Sequence, residues 1–413
     1  MPFHRPKTDL PPKILGEDLN PVSLSGEIRF ILQAAKLFLY PETEASPVPP
    51  ALDWNRVLAA AQWHRLDAIL YRVLLEHYPE AAPETAMKQL EERYRRYAHK
   101  GLVLTARLNQ ILKDFKKHNL PVLQLKGITL AQLAYGDLAL RPCLDLDLLV
   151  KPEDLPLAIS RLEALGFKRA TPLPEHAEAV QTRIDYETTL SDGVVSVDLH
   201  WACARFREMF PIDLDKALES PQWVEIGGVK APTLPMNDLI AYLSFHGARH
   251  LWMKLFWIYD LAIIAARFPQ MSWTPILGRA MDLRQARTLL HGKLLARELF
   301  DAALPHTLES YTPRDPVLPG MVSKTCRFLF DRPHPQSNYE VDFSLFQKFM
   351  GGLDMYSSPR IKGTIAFRYL CQPALADLKA ARLKPDLFFL YYLLRPLRLL
   401  REQFRRKPQG SGA

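Results

Sequence analysis

Three aspartates, Asp145, Asp147 and Asp198, carry the most specific chemical signal in the chain. In LDLDLLV, residues 144–150, two acids stand two apart inside an apolar run. Side chains two apart on a strand share a face, so Asp145 and Asp147 project together while Leu144, Leu146 and Leu148 take the opposite side. Two carboxylates held together without water or a counter-charge repel each other strongly. A cation must balance them, and with no thiol or imidazole donor beside them the oxygen ligands select a hard ion, Mg2+ or Mn2+, over zinc. In VVSVDLHW, residues 194–201, the valines and Leu199 take one face and leave Ser196, Asp198 and His200 on the other. A hairpin paired beside the 144–150 strand adds Asp198 to the cluster. Upstream, Lys126 ends PVLQLK, residues 121–126, and with Gly127 after it opens a helix, where backbone N–H groups can cradle phosphate oxygens. Gly127 permits close approach of a ligand to the backbone. Lys126 supplies charge to a triphosphate, and Arg141 is a second candidate phosphate ligand. These parts together describe metal-assisted nucleotidyl transfer.

The elements that must position these residues can be read from periodicity. Residues 26–40 and 53–77 have helical spacing, and a long helix is expected over 84–118. The texture then changes to strands at 121–126 and 144–150, a short helix at 128–135, and a helix at 153–165 stopped by Gly166. Asp192-Gly193 lies between two alternating segments and predicts a hairpin over 186–201. From Asn237 onward the pattern is helical again. The expected fold class is α+β: a small mixed sheet with flanking helices, embedded between N-terminal and C-terminal helical regions. The expected division is 1–103, an N-terminal helical region; 104–215, the α/β core; and 216–413, a C-terminal helical region with a basic tail.

With 413 residues, 48% of them hydrophobic, the chain has enough apolar content for a sizeable core, and disorder is excluded as its main character. Its four cysteines, Cys143, Cys203, Cys326 and Cys371, form no CxxC pair. That speaks against a zinc site or disulfide framework and fits a reducing compartment. The N-terminus has no apolar run behind its basic residues, and no segment has the length of a spanning helix. A cytoplasmic protein, soluble or peripheral, is expected. The net charge of +8 favours anionic partners without separating nucleic acid, nucleotide and membrane.

Gly127 at a strand-to-helix junction, the paired acids of DLDLLV and the distal Asp198 of VDLHW resemble the DNA polymerase beta-like nucleotidyltransferase superfamily. LKGITLAQLAYGD, RPCLDLDLLVKPEDL, VDLHW and HGARHLWMKLFWIYDLA are similar to a group of uncharacterised bacterial nucleotidyltransferases within it. The resemblance covers about residues 100–265. It implies a catalytic metal triad at Asp145, Asp147 and Asp198, and a nucleoside triphosphate donor, ATP first among them. The superfamily's usual Gly-Gly or Gly-Ser pair is Gly127-Ile128 here, followed by Thr129, which with Lys126, Gly127 and Arg141 makes up the expected nucleotide-binding set.

The acceptor side is expected in FHGARHLWMKLFWIYDL, residues 245–261. His246, Arg249 and His250 stand at i, i+3 and i+4 on one helical face. There is no HExxH glutamate, so a zinc site is not expected. These three, with Lys254 and His200, are the candidate substrate-binding residues. The competing reading is a helix packed through Trp252, Leu255 and Trp257, with His200 a buried histidine beside Trp201. The tail DLFFLYYLLRPLRLLREQFRRK, 386–407, fits either an interfacial helix on anionic lipid or a packed terminal helix kinked at Pro396. The leading expectation is a Mg2+-dependent transferase moving NMP from an NTP to a hydroxyl or phosphate of a small molecule, sugar or peptide. The alternatives are a nucleotide-binding scaffold without chemistry, and transfer to a protein or tRNA acceptor.

Overall fold

A computed structural model describes residues 24–171, 180–330, 351–381, 383 and 385–405. The first elements of the described residues are four helices: α1 Gly26–Leu39, α2 Trp54–Trp63, α3 Asp67–His77 and α4 Glu84–Lys117. Ser25 caps α1 by accepting from the Ile28 amide, and Asp53 caps α2 by accepting from the Asn55 and Arg56 amides. Such caps satisfy donors that the first helical turn leaves without partners. Helix α2 stops where Arg65 adopts a φ of 56°, which splits the expected 53–77 segment into two.

At 34 residues, α4 is about 51 Å long. Its first half sends Ala86 and Leu90 into the large helical core, and its second half sends Leu104, Leu108, Ile111 and Phe115 under the sheet. Gly101 lies between the two halves, where an added Cβ would come within 2.8 Å of Leu138. A glycine is what lets the helix lie that close.

Among the described residues there are seven strands: β1 Leu123–Gln124, β2 Asp145–Leu149, β3 Lys168–Arg169, β4 Glu187–Ser191, β5 Ser196–His200, β6 Gln222–Ile226 and β7 Val229–Thr233. Their order across the sheet is β3-β4-β5-β2-β1-β7-β6. The β2–β5 and β1–β7 pairs are parallel, and the other neighbours are antiparallel. The sheet is therefore mixed and the fold α+β, as expected. Strands β4 and β5 form the predicted hairpin, with Asp192 accepting from the Val194 and Val195 amides at its turn. The pair β6–β7, turned at Gly227-Gly228, adds two strands that periodicity had not singled out.

Beneath the sheet, Leu146, Leu148, Val197 and Leu199 are fully buried with Ile159 and Leu162 of the helix Leu155–Ala164. Leu144, expected among them, stands just before β2 and is 56% exposed, because the pleat that would turn it inward begins only at Asp145.

Beyond the sheet the described residues are mainly helical. The helix Met236–Arg249 and the helix Leu255–Arg267 are separated by a break at which Leu251 and Trp252 have φ of 54° and 53°. The indole of Trp252 fills the space beside Gly247 and Gly292, where a Cβ would overlap its ring. The helix Ala286–Phe300 is the buried centre of this region. The C-terminal helix Tyr391–Arg405 contains Pro396. It packs on the body through Tyr391 and Arg395, whereas most of its leucines face outward.

Candidate active site

The parallel β2–β5 pairing places Asp147 directly opposite Asp198, and Asp145 opposite Ser196. In-register neighbours on adjacent strands lie about 4.8 Å apart and point to the same face. All three carboxylates line one cavity of about 320 Å3, together with Lys126, Gly127, Arg65, Arg249 and the rings of His246, His250, Phe256 and Trp257.

Asp147 is the most enclosed of the three acids. Its Oδ2 accepts from Lys126 Nζ at 2.6 Å, and its Oδ1 lies 3.4 Å from His200 Nε2. Burial pushes the Asp147 carboxyl up, but the Lys126 ammonium and the His200 contact outweigh it and hold the group well below the usual carboxylate range. The other two acids lack such a partner. Burial raises Asp145, and the neighbouring Asp147 and Asp198 charges raise it further. Asp198 is raised by burial, partly offset by the 2.7 Å hydrogen bond from Thr189 Oγ1 and then reinforced by Asp147. Lys126 makes an ion pair within the cluster, and it and Arg65 only partly offset the rise at Asp145, so among the three carboxylates negative charge remains in excess.

That excess and the all-oxygen donor chemistry fit a hard divalent ion. The side-chain arrangement fits it less completely. Lys126 occupies an oxygen of Asp147, and among the described residues no three His, Cys, Asp or Glu side chains are grouped to hold a metal. A bound ion would need Lys126 to swing away from Asp147.

Lys126 follows β1, and Gly127, with φ 80° and ψ −132°, begins the helical turn Ile128–Leu130. That backbone conformation belongs to glycine. Thr129 is fully buried, with its hydroxyl 3.3 Å from the Lys126 carbonyl, and does not line the cavity. Arg141 lines the wall, but its guanidinium makes a two-pronged pair with Asp260 at 2.8 and 2.9 Å. Tyr135 donates to the same carboxylate at 2.7 Å. Arg141 therefore ties the β2 approach to the helix Leu255–Arg267.

Of the residues expected on the acceptor side, His246, Arg249, His250 and His200 reach the cavity, whereas Lys254 does not. Lys254 precedes the helix Leu255–Arg267, and its ammonium lies over the Trp63 ring at 4.7 Å. His250 stacks on Trp257 with ring centres 4.9 Å apart. His246 has its Nδ1 buried without a hydrogen-bond partner. Burial, His250 and Lys126 together lower its pKa well below the usual value, so the ring is neutral at physiological pH. The Arg249 guanidinium donates to Tyr186 Oη at 3.1 Å, and Tyr186 Oη donates to Glu187.

Sequence reasoning passed over Arg65, Glu187, Tyr186 and Tyr242. Arg65 is brought in because its loop docks on the later helix: the Leu255 amide donates to His64 Nδ1 and the Phe256 amide to the His64 carbonyl. Burial, then the nearby Arg141, lowers the Arg65 pKa, the mark of a cation held in a crowded positive wall. No local pattern announces a contact across some 190 positions. Glu187 was open to inference, since the hairpin register that seats Asp198 also sets Glu187 opposite His200.

The family described as "Uncharacterised nucleotidyltransferase" matches residues 50–301. No curated protein matches the sequence. Among solved structures, a crystal structure of ANT(2")-Ia in complex with adenylyl-2"-tobramycin aligns at 15% identity and a TM-score of 0.31, covering 44% of this chain and 96% of that one. A solution structure of the antibiotic-resistance factor ANT(2'')-Ia gives the same identity and TM-score, with 44% and 92% covered.

Proposed function

The chain belongs to the uncharacterised nucleotidyltransferase family, and we propose that it moves NMP from a nucleoside triphosphate, ATP first among those to be tried, to a hydroxyl or phosphate of a small-molecule, sugar or peptide acceptor. The single observation that carries this reading is the in-register Asp147–Asp198 pair with Asp145 on the same face, set in a cavity walled by arginines and aromatic rings. In the reaction an acceptor oxygen forms a bond to the α-phosphorus, the bond to the bridging oxygen breaks, and pyrophosphate leaves with that electron pair. Asp145, Asp147 and Asp198 would hold a divalent ion, Mg2+ or Mn2+, which would supply the positive charge that the phosphates require.

The chain's own groups do the rest. Asp198, whose carboxyl is raised, takes the proton of an acceptor hydroxyl. Lys126 exchanges its ion pair with Asp147 for the triphosphate. Gly127 lets phosphate oxygens come close to the backbone. Arg65 and Arg249 add positive charge to the wall, and the neutral His246, with a polar atom to satisfy, hydrogen-bonds the base or acceptor. Trp257, stacked on His250, offers a flat surface to a ring. A separate cavity of about 910 Å3, bordered by Tyr186 and Trp201, shares no lining residue with the one that holds the acids.

The test is Mg2+-dependent NTP binding and pyrophosphate release by the full chain and by Asp145→Asn with Asp147→Asn. Loss of both in the double variant is expected; unaltered binding and turnover would sink the reading. The Lys126–Asp147 pair favours one second reading, a nucleotide-binding module in which lysine permanently replaces the ion. Calorimetry separates them, because that module would bind NTP equally with Mg2+ or EDTA and release no pyrophosphate with any acceptor.

A further inference from the structure

The helix Tyr391–Arg405 lies on the protein with its amphipathic faces reversed from the usual arrangement. Its polar face is the one that packs. Arg395, 3% exposed, donates to Asp377 Oδ2 at 3.0 Å and to the Tyr369 carbonyl at 3.1 and 3.0 Å, and Arg398 pairs with the other oxygen of Asp377. Tyr391 is buried on the same side, donating to the Ala381 carbonyl. The opposite side carries Leu393, Leu397 and Leu400, which are 65%, 63% and 53% exposed, and Phe389 just before the helix is 61% exposed. Positions 393, 397 and 400 follow the spacing of one helical stripe. The neighbouring helix Pro359–Cys371 adds Phe367 and Leu370, exposed at 67% and 51%. A soluble helix normally turns leucines to the core and arginines to water.

We infer that this stripe is a docking surface for an anionic lipid bilayer. Charge selects this occupant. In sequence the apolar positions are followed by REQFRRK, residues 401–407, in which four basic residues outnumber the single acid, and Arg401, among the described residues, is exposed. An apolar strip ending in a cationic cluster matches an acyl boundary beneath negatively charged headgroups. Tyr392, 44% exposed beside the stripe, suits the headgroup level. A second copy of the chain would place two like-charged clusters against each other, which works against self-association. No described helix is long and apolar enough to cross a membrane, so the contact is one of lying on the surface. The two-arginine clamp on Asp377 holds the leucines outward before any lipid arrives, so that docking requires no refolding of the helix.

The test is co-sedimentation of the full-length chain with vesicles of phosphatidylcholine, or of phosphatidylcholine mixed with phosphatidylserine. The expected result is binding to the mixed vesicles that is at least about tenfold stronger than to the neutral ones and that falls with salt. Leu393→Glu with Leu397→Glu should lower it by at least about tenfold at an unchanged thermal midpoint. If that double variant fails to fold, Arg401→Glu, at an exposed position, should still weaken binding to the mixed vesicles alone. No binding of the unsubstituted chain to anionic vesicles overturns the proposal, as does binding indifferent to these substitutions. A concentration-dependent dimer by light scattering, lost in the double variant and without vesicle binding, would assign the stripe to a second copy instead. A monomer that ignores vesicles would leave it to another segment of this chain, which equally overturns the lipid assignment.

Discussion

Lys126, at the end of β1 in the sheet region, and Lys293, midway along the helix Ala286–Phe300, are both enclosed by protein, yet their surroundings treat the same charge in opposite ways. The Lys126 ammonium is penalised by burial but held by Asp147 and Asp145, and its pKa ends above the ordinary lysine value. Lys293 is 0% exposed, its Nζ has no hydrogen-bond partner among the described residues, and the Trp273 ring lies 4.7 Å away. Burial brings its pKa down to about 7. The sheet region is built around charge and supplies counter-charge in excess. The helical region is built by packing and merely tolerates a cation. A site meant to accept phosphate and metal belongs in the first kind of interior, because there a charge can be exchanged for another charge without first creating the environment for it.

The comparison breaks if one substitution acts alike in both places. Lys126→Met should destabilise the fold by about 3–5 kcal/mol, since it leaves Asp147 buried with only the 3.4 Å His200 contact, and denaturant unfolding reads this directly. Lys293→Met should do the reverse, stabilising at pH 7 on the order of 3 kcal/mol. The sign follows from linkage: the unfolded lysine binds a proton up to its ordinary pKa near 10.5, whereas the folded one releases it from about pH 7. The burial penalty is therefore full below pH 7, declines as pH rises through the window between the two values, and is absent above it. The advantage of Lys293→Met should fade over the same window, and a constant advantage from pH 7 to 10 would refute the assignment.

Gly127→Ala sharpens the sheet side of the contrast. The strain of a side chain at φ 80° and ψ −132° should cost about 1–3 kcal/mol, with nucleotide affinity falling further than stability does. The smallest effect expected is that of Thr189→Ala, which removes the hydrogen bond to Asp198 and should cost about 1 kcal/mol. It should also raise the lower limb of the pH–rate profile, since the Asp198 carboxylate loses a donor that favours its charged form.

The carboxylates were legible because a strand's two-residue period is strict: once 145–149 and 196–200 are strands, the facing of Asp145, Asp147 and Asp198 follows, and the Asp192-Gly193 turn fixes the hairpin. Lys126 was legible as a site residue but not as the partner of Asp147, because that contact depends on how far the chain travels past β1 before it turns. The β6–β7 hairpin had a signal, Gly227-Gly228 between alternating residues, which the nearby Pro232 obscured. The 245–261 segment was read as one helical face, yet two consecutive residues with positive φ split it and send Lys254 to Trp63. Backbone breaks at Leu251 and Trp252 leave no mark in composition, since neither residue type favours that conformation. The tail packs as a terminal helix through Tyr391 and Arg395, with most of its leucines outward.

The cavity walls come from position 65, from 126–147, from 187–200 and from 242–257. An excised fragment spanning only 104–215 would keep every acid and yet lose Arg65 and the shelf formed by His250, Phe256 and Trp257. The chemistry of this chain is therefore not portable as a cassette: whatever catalytic unit is transplanted must carry the helices on both flanks, and a shorter graft would move the acids without the room they work in.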